Sequence, residues 1–335
     1  MLMVLGHSGL GVEFLQKFIY MFHMPLFFFA SGYCFKRTYL DEPGKFLLRR
    51  VKGLYWPFVK WSLVFLALHN VCFLLNIYNG EYGFAGGVSH MYGWREFAER
   101  GWHIVACMNK QEQLVGGYWF LKQLFLGSII AWMLLKLFRC FELGGGIALI
   151  TSMLCNKVVL VTPLLDLSSQ TFASATLIIA GHCFAQHKVR PFPLWTVISS
   201  TIVTAIGTQY WYMEFGDVTY SNKVFPFYML TAVLMSWSIY SLFDRYAKDR
   251  SLRLLTFIGN NTLTILTWHF LSFKLVSLVI IGIYGLPIAR LAEFPIIGEY
   301  STQGWWVLYF LSGVMLPLSI VLLKDKSLIA VSERR

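Results

Sequence analysis

The chain is 335 residues long, 57% hydrophobic and 17% aromatic but only 13% charged, with a mean hydropathy of +0.59. That balance excludes a soluble domain of this length and points to an integral membrane protein. The formal net charge of +11 reads as an orientation signal and contact with membrane lipids, and nucleic-acid binding is a poor explanation for it, because the basic residues cluster on alternate connections.

Apolar windows of about 18 to 25 residues, long enough for a hydrocarbon core near 30 Å, predict a bundle of about ten transmembrane helices. They lie near 1–14, 18–35, 54–78, 117–138, 144–163, 170–186, 192–211, 225–243, 254–284 and 303–323, in one all-α domain over 1–335. No internal repeat is visible. The first window carries His7 and is short, since residues 1–12 give only about 18 Å of helix, so a truncated first helix is expected. The second, FIYMFHMPLFFFASGYCF, holds His23 and Pro25 near its middle. Proline inside a helix costs roughly 3 kcal/mol, and an ionisable side chain within a bilayer is rare unless something uses it. Pro25 is expected to bend this helix beside a cavity.

Next comes a basic segment, 36–53, and a third span with Lys60 near its start. The long connection 79–116 contains Trp94 and Trp102, which predict a short interfacial helix around 94–106. The fourth span carries Lys122 near its outer end, and the ninth carries His269 and is long enough to hold a break. With both termini on one side, that side holds eighteen of the 28 basic residues, against seven opposite. Both termini are therefore expected in the cytoplasm, with the protein in the cell (inner) membrane. The six cysteines show no metal or disulfide spacing and read as packing residues.

His23 lies roughly 18 Å from the cytoplasmic end of its helix, His269 roughly 22 Å from the same side, and His7 roughly 9 Å from the outer end of the first span. Three histidines at a shared depth, with Lys122 about 8 Å inside its own outer end, form a polar layer facing a bundle interior or a cavity. His69, His90, His103, His182 and His187 lie at span ends or in loops and are expected to be structural. Neutral histidines around a cavity suit a general base that takes a proton from a hydroxyl. Metal binding is weaker, because no HxxxH pair and no nearby carboxylate accompanies them. With no nucleophile elbow, P-loop or dinucleotide fingerprint, a base alone suggests direct attack of a substrate hydroxyl on an activated donor.

GHS at 6–8, FHMPLFFFASGY at 22–33, RRVKGLYWP at 49–57, YWFLKQLF at 118–125 and FIGNNTLTILTWH at 257–269 resemble, in order and spacing, integral-membrane acyltransferase family 3, especially its fucose 4-O-acetylase-like branch. The resemblance implies an O-acetyltransferase that moves an acyl group from acetyl-CoA, or another acyl-CoA, to a sugar hydroxyl of a cell-surface glycan or its lipid-linked precursor. It implies His7 as the base, with His23 and His269 orienting the hydroxyl or donating to the thioester oxyanion. Arg49, Arg50, Lys52 and Lys60 then meet the CoA phosphates on the cytoplasmic side, where positive-inside anchoring explains them equally well. Tyr33 and Trp119, among several aromatics, are candidate sugar-stacking residues, with Lys122 beside them. Family members carry a charged segment upstream of the first histidine, whereas Met1 here precedes His7 by six residues, in line with the short first window. A transporter or flippase for a lipid-linked sugar is the alternative, with histidines as proton relays; a structural subunit of an export assembly would need none of the three.

Overall fold

A computed structural model describes residues 1–84, 88–138, 141–155, 167–217, 223–246 and 252–332, and within these every regular element is helical. The second half of the expected fifth span, with Arg139, Cys140, Lys157, Lys248 and Arg250, lies outside the described residues. Helix α1 (Leu2–His7) is followed at once by Gly9 in a left-handed conformation, φ +73°, the glycine stop that lets a chain leave a helix without a Cβ penalty. A Cβ on Gly9 would sit 2.2 Å from Ile296, so this turn is pressed against a distant loop. His7 is thereby held at the tip of a helix rather than along its side.

The run that holds His23 and Pro25 is two helices, α2 (Glu13–Tyr20) and α3 (His23–Tyr33), parted at Met21 and Phe22. The expectation of a bent single helix is therefore corrected. Pro25 has no N–H to give the carbonyl four residues back, and it falls in the first turn of α3, where the missing donor is tolerated. The side chain of His23 meets the end of α2 instead, its Nδ1 donating to the Ile19 carbonyl at 3.0 Å.

Helix α4 (Pro43–Arg50) runs through a π turn (Val51–Tyr55) into α5 (Trp56–Ala67), and α6 (His69–Leu74) follows. The expected interfacial helix is α7 (Trp94–Cys107), with Trp94 and Trp102 on its exposed face. A 3-10 turn (Gln113–Tyr118) leads into α8 (Trp119–Phe138). Then come α9 (Phe141–Cys155), α10 (Ser169–Gln186), α11 (Leu194–Tyr210) and α12 (Phe225–Tyr246). The expected break in the ninth span falls at Asn261, between α13 (Arg253–Asn260) and α14 (Thr262–Tyr284). A short α15 (Gly298–Tyr300) precedes the long α16 (Trp306–Ser332).

Four helical stretches among the described residues are long and apolar enough to cross a membrane: 113–138, 225–246, 262–284 and 298–323. Among the described residues the second and third expected spans are each divided between helices, and Phe141–Leu154 is a shorter apolar helix. Helix α10 packs on α3, α8 and α9, while α14 pairs with α16. The α3–α10 contact is tight at two glycines: a Cβ on Gly32 would lie 1.8 Å from the Ile178 carbonyl oxygen, and one on Gly181 would lie 2.0 Å from that of Phe29. Small residues that let backbones touch are how helices associate where lipid removes the hydrophobic drive.

Lys274, at the middle of α14 and 2% exposed, donates to the carbonyls of Leu291 (2.9 Å) and Glu293 (2.6 Å). It pins the loop after α14 back onto the helix, which seats Phe294 against Phe270 with ring centroids 4.6 Å apart. Lys274→Met should leave one buried and one part-buried carbonyl without this donor and lower stability by about 2–5 kcal/mol. Thermal unfolding in detergent checks this; an unchanged melting temperature would show that the carbonyls find other partners.

Candidate active site

The end of α1, the start of α3, the 3-10 turn before α8 and the middle of α14 meet at one point. His7 and His269 lie face to face there, with ring centroids 5.7 Å apart and planes 27° apart, and Phe270 tilts against His7 at 5.1 Å. The 3-10 turn is tied to α14 by a 2.6 Å hydrogen bond between the hydroxyls of Tyr118 and Thr267, which fixes the neighbouring Trp119 relative to the histidines.

Two cavities open from this point. The larger, about 630 Å³, runs under the long connection and is bordered by His7, Trp119, Phe270, Phe294, Tyr92 and Glu112. The smaller, about 140 Å³, is bordered by His7, His23, Tyr20, Trp119 and Glu214. His7 and Trp119 thus stand in both walls. His23, with its ring 5.1 Å from that of Tyr20, reaches only the smaller cavity. His269, with no solvent exposure, supports His7 from behind.

Hydrogen bonding fixes which nitrogen of each buried ring carries the proton. Nδ1 of His269 faces the carbonyls of Ile265 and Leu266, each at 3.0 Å, and Nδ1 of His23 faces that of Ile19. Both are therefore N–H donors at Nδ1, and in the neutral ring Nε2 is a lone-pair acceptor. Nε2 of His269 is buried without a partner. Two acceptor nitrogens suit orienting a hydroxyl; donating to an oxyanion would require a second proton on either ring.

The other sequence candidates separate into two groups. Trp119 borders both cavities. Lys122, 6% exposed, sits one turn along α8 from Trp119 and borders neither. Tyr33 lies at the far end of α3, about 15 Å from His23, where its hydroxyl donates to that of Tyr240 (2.8 Å) and its ring meets Trp237. Arg49 bonds the Tyr39 hydroxyl at 2.7 Å and Arg50 covers the Phe46 ring. Lys52 is exposed, and Lys60 lies over the Trp61 ring at 4.9 Å. From Arg50 the helical run extends about 25 Å to Ala67 at 1.5 Å per residue; Arg49, Arg50 and Lys52 stand toward its start and Lys60 past its middle, and none of them borders either cavity.

Sequence reasoning missed two carboxylates. Glu214 precedes the 3-10 turn after α11 and borders the smaller cavity, with the Tyr212 hydroxyl 2.5 Å from its Oε1. Glu112, 4% exposed, borders the larger one and accepts from Nδ1 of His69 at 2.9 Å. Both sit in connections that fold back over the bundle, so no helical spacing announces them. Among the described residues no group of three or more His, Cys, Asp or Glu is arranged to hold a metal ion.

A family model described as "Acyltransferase domain" matches residues 1–324. No curated protein and no solved structure matches the chain.

Proposed function

The chain belongs to acyltransferase family 3, and from that premise we propose that it moves an acyl group, acetyl first among them, from acyl-CoA to a hydroxyl of a cell-surface glycan or its lipid-linked precursor. The observation that carries this reading is His7, a half-buried base shared by two cavities and backed by His269. In the proposed reaction the hydroxyl lies in the larger cavity and gives its proton to His7 as its oxygen attacks the thioester carbonyl. The tetrahedral intermediate then expels the CoA thiolate, which takes the proton back, leaving an ester and free CoA. His23 orients the reacting groups through its Nε2 lone pair, and His269 holds the His7 ring from behind.

The donor arrives from the cytoplasmic face, where Arg49, Arg50, Lys52 and Lys60 offer cations for its phosphates. The protein then spans the inner membrane with both termini in the cytoplasm. Acetyl-CoA labelled in the acetyl group, mixed with detergent-solubilised protein and soluble glycosides, should yield free CoA and labelled glycoside. No CoA release under any acceptor condition would overturn the acyl-CoA reading.

His23→Ala removes a ring from the smaller cavity and the donor to the Ile19 carbonyl. Transfer should fall by about 10²-fold, the cost of lost positioning at a reacting centre, with expression retained. Activity at the wild-type level in this variant would remove His23 from the site.

A further inference from the structure

The wall of the larger cavity carries, besides His7, a polar arrangement that proton abstraction does not require. Glu112 and Gln113 are consecutive, stand just before and at the start of the 3-10 turn, and both border the cavity. Glu112 gives one carboxylate oxygen to His69, and its other oxygen, Oε1, is shielded from solvent without any partner. Gln113 accepts the Phe84 backbone N–H through Oε1 at 3.2 Å, and its Nε2 is likewise shielded and unpartnered. Consecutive residues therefore carry an unused acceptor and an unused donor. Buried polar atoms are almost always paired, so two orphans of opposite sense on residues that border one cavity leave hydrogen-bonding capacity that a small side-chain rotation offers to an occupant.

The support behind this pair is unusually firm. His69 is fully buried, with a carboxylate oxygen at Nδ1 and the His90 carbonyl 3.4 Å from Nε2. Its ring lies flat on Tyr92 at a centroid separation of 3.3 Å, and the Arg100 guanidinium lies 4.2 Å from the Tyr92 ring centroid. Arg100 is itself held by Glu96, and burial keeps the Tyr92 phenol above its ordinary pKa. Three elements, α6, α7 and the segment before the 3-10 turn, thus fix one carboxylate.

The chemistry of the wall selects among ligands. A cation would answer the Glu112 oxygen but not the Gln113 donor, and Arg100, also in this wall, would repel it. An anion would meet the reverse conflict. A hydroxyl donates and accepts at one atom, and aromatic faces such as Trp119 and Phe84 in the same lining suit the C–H faces of a ring bearing several hydroxyls. We infer that Glu112 and Gln113 form a hydroxyl-binding subsite, held by His69, that positions a polyhydroxylated acceptor ring in the cavity that His7 borders.

The inference rests on the acyl-transfer reading, and its test separates the two. The probes are methyl glycosides of glucose, galactose and N-acetylglucosamine, with the monodeoxy analogues of the best of them, and labelled acetyl-CoA as donor. Glu112→Gln and Gln113→Glu keep size while changing one orphan group each. Both should raise the acceptor KM about tenfold or more, as expected for a lost hydrogen bond to a charged or buried group, with a smaller effect on kcat. One monodeoxy glycoside should be a poor acceptor for the wild type and suffer little additional loss in Glu112→Gln, a coupling that a merely structural carboxylate would not show.

Unchanged acceptor KM in both variants, with the wild type transferring, would overturn the subsite and leave the transfer reading intact. A fall in kcat with a lower melting temperature at unchanged KM would overturn it too, assigning Glu112 to the fold alone. CoA release by the wild type with transfer to none of the glycosides would overturn the polyhydroxylated ligand. No CoA release at all would remove the parent reading and the subsite with it.

Discussion

His7→Ala should lower acyl transfer by about 10²- to 10⁴-fold, the usual contribution of a positioned general base, while the protein still folds. The expectation follows from where the ring stands. It borders both cavities, it lies against His269 and Phe270, and its half-buried position at the tip of α1 leaves it in contact with cavity space. Removing it opens the two cavities to one another without stripping a buried backbone group of its partner, so thermal unfolding should shift little. The resulting hole is the size of the missing ring, and added imidazole should restore part of the activity to His7→Ala. Rescue would distinguish a proton acceptor from a spacer; full transfer in the variant without imidazole would sink the assignment.

Gly181→Val, far in sequence from His7, His23 and His269, should damage both stability and activity. The backbone of α3 approaches so closely that even a methyl on Gly181 would lie 2.0 Å from the Phe29 carbonyl oxygen and 2.9 Å from the Tyr33 amide nitrogen, with Gly32 making the reciprocal approach to Ile178. Neither obstacle is a side chain that can turn aside. The helices would have to separate, losing dispersion contacts along the whole α3–α10 face, and a cost of about 3 kcal/mol is expected for overpacking of this kind. Because α3 begins at His23, a shift of 1 Å there would also cost about 10²-fold in rate. Gly282→Ala in α14, where an added Cβ meets nothing within 4 Å, is the matching control and should be neutral or mildly stabilising. A Gly181→Val protein with wild-type melting and activity would show that the two helices are not held as described.

The histidine layer was legible because an ionisable residue in an apolar run is improbable without a use, and the fold does gather His7 with His269 and His7 with His23 around shared space. The break at Asn261 and helix α7 were legible for similar local reasons, an overlong apolar stretch and a tryptophan-rich connection. The break before Pro25 was misread as a bend, because sequence alone does not show whether proline stands in a helix interior or in its first turn. Tyr33 borders neither cavity: in a chain with 29 Phe, 17 Tyr and 12 Trp, an aromatic side chain by itself says little about sugars. Glu112, Glu214 and His69 escaped because their significance is entirely tertiary. His69 looked like a span-end residue until the chain, forty-three positions later, returned with a carboxylate.

Lys274 bears on how the protein is made as well as on how it stands. Alone at the centre of a spanning helix, a lysine opposes membrane insertion by about 2.5–3.5 kcal/mol. The carbonyls that accept from it belong to residues 17 and 19 positions downstream, which leave the ribosome only after α14 has been synthesised. Helix α14, and His269 with it, therefore settles in the bilayer as a unit with the loop that follows. During that interval a half-made chain offers the translocation machinery a helix whose centre is still asking for partners.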